Sequence, residues 1–222
     1  MHNSVDSLVA IKEEIQLKII DKTNIIKIPQ IIAVSKTFKI EHILPLINYG
    51  HLHFGENKVQ EAIEKWTEIK NQNKDIKLHL IGKLQSNKVK IAVKIFDYIH
   101  SLDSIKLAEK ISNEQLKINK NLKIFIQINI GDEEQKIGIE IEQLKSFYNK
   151  CTMDLGLDIV GLMCLPPKEE KPSNYFLKMK ELSTSVSSQE LSMGMSGDYL
   201  KAAEYESTFL RIGSKIFGER TR

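Results

Sequence analysis

A lysine that closes an apolar run is the first feature with chemical consequences. In Ile31-Ile-Ala-Val-Ser-Lys36, the period-2 alternation of an extended chain sets Lys36 on the face of Ile32 and Val34. Desolvation there disfavours the ammonium form, so the amine's pKa falls and it becomes nucleophilic toward an aldehyde. The competing reading is a lysine that snorkels into water at a strand end. Arg211 is the second feature. The chain uses lysine almost everywhere, with arginine only at 211, 220 and 222. A guanidinium inside an apolar run offers a planar, always-charged fork suited to a phosphate or a ring substituent. A structural ion pair with Glu56 or Asp103 is its alternative. Gly213 and Ser214 follow directly, and Ser192–Gly197 supplies further small residues, Ser196 among them. Backbone N–H groups and short hydroxyls of this kind meet phosphate oxygens.

Other candidates are more dispersed. Asn57 follows Phe54-Gly55-Glu56 and opens a helical pattern, so it reads either as an N-cap or as a contact to a ring hydroxyl. His79, His100, Asp103, Gln127 and Asn129 fall near strand ends, and the two histidines are the only plausible second proton-transfer groups at a mouth. No histidine spacing matches a zinc site, no catalytic triad is set out, and no Walker-type glycine loop is present. The reading therefore assigns no catalytic residue and no metal.

These groups need a scaffold, and the patterning supplies one. Candidate strands lie at Ile31–Lys36, His51–Glu56, Leu78–Gly82, Tyr98–Asp103, Lys123–Asn129, Asp158–Leu165, Glu190–Ser196 and Phe209–Phe217. Helical spacing occupies Val59–Lys70, Val89–Phe96, Ile105–Leu116, Glu140–Lys150, Tyr175–Val186 and Tyr199–Glu206. A further amphipathic helix at the start places Val5, Leu8, Val9, Ile11 and Ile15 near one face. Eight strands, most apolar on both faces and alternating with helices, fit a single (β/α)8 TIM barrel with an extra N-terminal helix over residues 1–222. An open doubly wound sheet is the runner-up. In such a barrel the strand C-termini carry the chemistry, and polar groups follow apolar strands in nearly every case here.

Composition narrows the class. Hydrophobic residues are 41% and charged residues 27% of 222, which is ordinary for a globular domain. The net charge of +3 is small and the lysines are interleaved with acids, which argues against nucleic acid as a partner. No apolar run approaches the ~20 residues of a membrane helix, and the start lacks a signal-peptide pattern. Cys151 and Cys164 are expected to be reduced thiols in a cytoplasmic protein.

Taken in order, AVSKT at 33–37, FGEN at 54–57 with VQE at 59–61, HLIGKLQSNK at 79–88, HSLD at 100–103, residues 127–138, GLM at 161–163, LSMGMS at 191–196 and RIGSKIFG at 211–218 resemble the pyridoxal phosphate homeostasis proteins. That family looks like the barrel domain of alanine racemase standing alone, and the match covers nearly the whole chain. The resemblance implies pyridoxal 5′-phosphate held as a Schiff base on Lys36, with Ser196, Arg211, Gly213 and Ser214 around its phosphate end. It implies a cofactor carrier or buffer in vitamin B6 and amino-acid homeostasis, without evident turnover. The expected partners are the cofactor and, as recipients, pyridoxal phosphate-dependent apo-enzymes; the expected state is a monomer. The alternative is a racemase-like enzyme, which needs a second base on the opposite cofactor face. In racemases that base comes from an added β domain, for which the sequence provides no counterpart. A Schiff-base aldolase barrel using Lys36 without a cofactor is the third reading. Two positions depart from the family's pattern: Ser214 stands for a threonine, and Glu206 for a glycine near the last strand, which puts the local backbone and the phosphate contacts in question.

Overall fold

The computed structural model describes residues 3–20, 28–131, 138–167, 171–188 and 190–219. Arg220, Arg222 and positions 132–137 of the 127–138 motif lie outside them. Eight parallel strands close into a barrel in chain order: β1 Gln30–Val34, β2 His53–Glu56, β3 Lys77–Leu80, β4 Tyr98–Leu102, β5 Lys123–Ile128, β6 Asp158–Cys164, β7 Glu190–Met195 and β8 Phe209–Ile212. The helices are α1 Ser4–Ile20, α2 Ile40–Asn48, α3 Val59–Gln72, α4 Val89–Ile95, α5 Ile105–Lys117, α6 Leu144–Asn149, α7 Pro172–Ser185, α8 Tyr199–Glu204 and α9 Ser214–Phe217. Alternation along each strand builds two cores. Outward residues such as Ala33, Phe54, Leu78 and Leu210 join the helices in a continuous apolar shell, while Ile32, Phe125, Met163 and Phe209 fill the lumen.

In α1, Leu8, Ile11, Ile15 and Ile19 recur every three or four residues and are buried, whereas Val5 and Val9 are only half-buried. This helix lies against α8 and α9, where Lys18 pairs with Glu204 at 3.0 Å and Lys215 with Glu14 at 3.1 Å.

Two elements differ from the sequence expectation. The patterning places no helix between the first two strands, and α2 occupies that segment. Pro45 weakens the helical pattern there by removing one N–H, but Ile43 and Leu46 are fully buried and offset the loss. The eighth strand was also drawn too long. It stops at Ile212, and the N–H groups of Ile216 and Phe217 both turn back to the carbonyl of Gly213 to start α9.

Four helices end in the same way. After α2, α5, α7 and α8, the residues Gly50, Asn119, Ser187 and Glu206 take positive φ. In each case the following amide bonds back five residues, as His51 does to Leu46 and Ser207 to Ala202. Only α2 has a glycine there. Glu206, at φ +63°, thus explains why a glycine suits this position: the site is a left-handed helix stop at the start of β8. Gly213 and Ser214 sit past the other end of that strand, so the departure bears on the helix stop and not on those residues. Left-handed geometry costs an L-residue roughly 1–2 kcal/mol, and the ion pair of Glu206 with Lys180 is exposed, so it is worth at most about 1 kcal/mol. Glu206→Gly is therefore expected to raise the thermal midpoint by about 1–4 °C, read by calorimetry. A lowered midpoint would show that the ion pair outweighs the strain.

Candidate functional site

Lys36 lies half-buried in the turn after β1, between buried Ser35 and exposed Thr37, whose φ is +69°. The turn is fixed from behind. Ser35 N–H donates to the Gly55 carbonyl at 3.0 Å, and Ser35 Oγ donates to Glu56 Oε1 at 2.8 Å. Lys65 Nζ reaches from α3 to the Ser35 carbonyl at 2.9 Å, and to Glu56 and Glu61 at 2.9 and 3.0 Å. Glu61 in turn accepts the Thr37 N–H at 2.5 Å. Glu56 is fully buried between barrel wall and α3 and also accepts from Trp66 Nε1. Burial raises its pKa against the opposing pull of Lys65, and its Oε2 has no partner. The sequence reading offered Glu56 as an ion-pair partner for Arg211; the structure turns it outward to Lys65 instead. Lys65, Glu61 and Ser35 escaped that reading, although Glu61 and Lys65 at i and i+4 were its available signal.

The glycine and serine residues expected to form a cradle come together beside this turn. β1 and β8 are neighbours with Ala33 opposite Ile212. A Cβ on Gly213 would sit 3.3 Å from Val34 Cβ and 3.4 Å from the Val34 carbonyl oxygen, so its backbone lies close against β1. Gly213 N–H donates to Ser196 Oγ at 3.2 Å, joining the loop after β7 to the turn after β8. Ser214 is exposed as the first residue of α9. Phe38, two residues beyond Lys36, stacks on Phe217, three beyond Ser214, with centroids 4.9 Å apart. Asp198 accepts the Met195 N–H at 2.6 Å and so braces the loop that carries Ser196. Asn57 is half-buried after β2 but does not cap α3: Lys58 occupies the N-cap position and makes no side-chain cap bond. A Cβ on Gly82 would lie 2.5 Å from the Asn57 carbonyl oxygen, so Asn57 is held through its backbone by close packing.

Arg211 lies deeper than these groups. It is 4% exposed in the lumen, with Nη1 donating to Ser192 O and Ser192 Oγ at 2.6 Å each and Nη2 to the Cys164 carbonyl at 2.8 Å. Burial lowers its pKa, and Asp198 pulls the other way.

His79 and His100 correct the sequence reading again. Both are wholly buried inside the barrel and not at its mouth. His53 Nδ1 meets His79 Nε2 at 3.0 Å, His79 Nδ1 meets His100 Nε2 at 2.9 Å, and His100 Nδ1 meets Ser192 Oγ at 2.8 Å. His100 stacks on Phe125 and His79 on Tyr98, with Phe209 against both. Desolvation holds both histidines well below their ordinary pKa. Asn129 is buried and donates to Glu140 Oε1 at 3.1 Å, whereas Asp103 is half-buried after β4. Among the described residues no group of three or more metal-ligating side chains forms a metal site, and no helix is long and apolar enough to cross a membrane.

A closed parallel barrel with a lysine past β1 and a glycine-serine turn past β8 defines an alanine racemase-type barrel. The family described as "Alanine racemase, N-terminal domain" matches residues 16–221. The chain belongs to this family and, within it, to the pyridoxal phosphate homeostasis proteins. A relative so named from Aquifex aeolicus is 39% identical over 86% of this chain and 87% of its own, and one from Escherichia coli K12 is 32% identical over 86% and 85%. Among solved structures, PipY of Synechococcus elongatus, described with pyridoxal phosphate bound, has a TM-score of 0.78 at 32% identity. It covers 92% of this chain and 100% of that one. Alanine racemase from Corynebacterium glutamicum, at 12% identity and TM-score 0.68 over 98% of this chain and 62% of its own, shares the fold.

Proposed function

We propose that this chain binds pyridoxal 5′-phosphate at the C-terminal mouth of the barrel, with Lys36 as the covalent anchor, and serves as a carrier in vitamin B6 homeostasis. One observation carries the reading: the Lys36 turn and the Gly213–Ser214 turn are locked to one another through Val34 against Gly213 and Phe38 against Phe217. The lysine-bearing turn and the glycine-serine turn therefore lie side by side past the ends of β1 and β8. The residues suit the group. Ser196 Oγ accepts from Gly213 N–H and keeps its own hydrogen for an oxyanion, and Ser214 adds a second exposed hydroxyl. The Asp198 carboxylate is engaged by backbone, and that of Glu56 lies behind the wall, so neither stands as a rival charge. When bound, the cofactor supplies an aldehyde that a lysine amine can take as a Schiff base. The same reading assigns Arg211 to the inner end of the site and Asn57 to a ring substituent. The names of the relatives, and the pyridoxal phosphate in PipY, support the same assignment.

The same reading assigns carriage rather than turnover. Racemisation needs a second proton donor on the far face. Tyr98 sits at the start of β4, Tyr199 is bonded to Glu14, and His79 and His100 are sealed in the lumen. The test combines a titration with borohydride trapping. Adding pyridoxal phosphate should give a visible absorption band, and reduction followed by peptide mapping should place the pyridoxyl group on Lys36. Deuterium exchange at Cα of alanine should stay near that of free cofactor. A Lys36-dependent rate near an enzyme's ~10 per second would move the chain to the racemases.

A further inference from the structure

Among the polar side chains of the lumen, His53, His79, His100 and Ser192 have no part in the cofactor reading. They and Arg211 form one file. Each histidine lies on the strand next to the last and further along it, since Gly55 is opposite His79 and Tyr98 opposite Leu80's neighbour His79. The file climbs from the start of β2 through β3 and β4, crosses the barrel to β7, and ends on β8.

Its direction follows from the donor inventory. A guanidinium can only donate, so Ser192 Oγ accepts from Arg211 Nη1. A hydroxyl has a second lone pair, so two arrangements satisfy this contact; in the one that also uses the hydroxyl's own hydrogen, that hydrogen goes to His100 Nδ1, which is then bare. His100 therefore carries its proton on Nε2 and donates to His79 Nδ1. The same step repeats from His79 Nε2 to His53 Nδ1. His53 borders a cavity of about 460 Å³ at the barrel floor, lined also by Lys12, Gln16, Gln30 and His51. Three neutral imidazoles in one orientation present their acceptor ends toward the buried cation, whose bonds run to Ser192 and to the Cys164 carbonyl.

We propose that this file is a tautomer lock: Arg211 sets one proton position on each of His100, His79 and His53, and the file in return holds the guanidinium in place beneath the mouth. His100 and Ser192 are then positioning residues for the cofactor site, a role that rests on the assignment of Arg211 to that site.

The experiment reads the lock without the cofactor first. Long-range ¹H–¹⁵N correlation of histidine-labelled protein should show His79, His100 and His53 as neutral Nε2–H tautomers at pH 7.5, with His79 and His100 still so at pH 6. An Nδ1–H tautomer, or a charged ring, at His79 or His100 would overturn the proposal. The second arm uses Ser192→Ala and Ser192→Thr with pyridoxal phosphate. Loss of the hydroxyl should lower retention of the cofactor about tenfold and shift its absorption band, while the threonine restores both. Unchanged retention and spectrum in a folded Ser192→Ala would also overturn it. Wild-type protein that takes up no cofactor at all would instead refute the cofactor assignment, leaving the tautomer spectra to decide the lock.

Discussion

Lys36→Ala is expected to abolish the visible band of the protein with pyridoxal phosphate completely and to leave its thermal midpoint within about 2 °C of the parent. The two halves of this result have separate causes. The band requires a bond to an amine, and no other lysine shares the position of Lys36 at the end of β1. The fold does not lean on that side chain, because the turn is held by its neighbours. Ser35 is tied to Gly55, Glu56 and Lys65, and Thr37 is tied to Glu61. Substitution of a half-buried residue away from those ties falls within about 0.5 kcal/mol, which for a domain of this size is a shift of one or two degrees. Titration by absorbance and melting by calorimetry check the two halves. A persisting band with an adduct on Lys39 or Lys83 would displace the anchor, whereas a collapse in stability would show that Lys36 braces the turn itself.

What the sequence made legible follows from the range over which each signal acts. The strands were readable because β-branched and apolar runs fix them locally, whereas their being apolar on both faces suits an open doubly wound sheet as well, and closure is decided by the pairing of β1 with β8. That the Lys36 turn and the Ser196, Gly213 and Ser214 turns lie at one end of the barrel was readable because the ends of barrel strands share one face. α2 was missed because Pro45 breaks a helical pattern that tertiary burial of Ile43 and Leu46 restores. The last strand was overdrawn because Ile216 and Phe217 look alike in a strand or a buried helical turn; the Gly213 carbonyl decides for the turn. His79 and His100 were placed at the mouth because strand numbering alone does not reveal the tilt of a barrel. Whether they face each other depends on the register between strands, and that is set only when the sheet closes. The same applies to Arg211, whose partners Ser192 and Cys164 lie 19 and 47 residues away.

Acidification from pH 7.5 to pH 5 is expected to lower stability steeply through the buried histidines, with His51 alone contributing ~2 kcal/mol. His51 is buried with Nε2 on the His53 carbonyl, and desolvation pushes its pKa down to about 4. His79 and His100 are held well below the ordinary value of 6.5 by burial, with the neighbouring rings adding to it for His79 and Arg211 for His100. His53 is lowered as well, by burial and by Lys77 against the pull of Asp97. The sign is that of a group neutral in the fold and charged in the unfolded chain. Above pH 6.5 neither state binds the proton and nothing is lost. Below it the unfolded chain takes up protons that the fold refuses, so stability falls until each folded pKa is reached. For His51, with a folded pKa of about 4, the loss is about 1.4 kcal/mol per pH unit, hence ~2 kcal/mol by pH 5, and His79 and His100 add to it in the same direction. Glu56 works the other way, because its raised pKa lets the fold bind a proton before the unfolded chain does. Against a total stability of about 5–15 kcal/mol for a domain, the His51 loss alone is a sizeable share. Urea titrations at half-unit steps should therefore show stability flat above pH 7 and falling by more than one proton's worth per pH unit between 6 and 5. A slope below one proton would mean that His79 and His100 take up protons within the folded barrel.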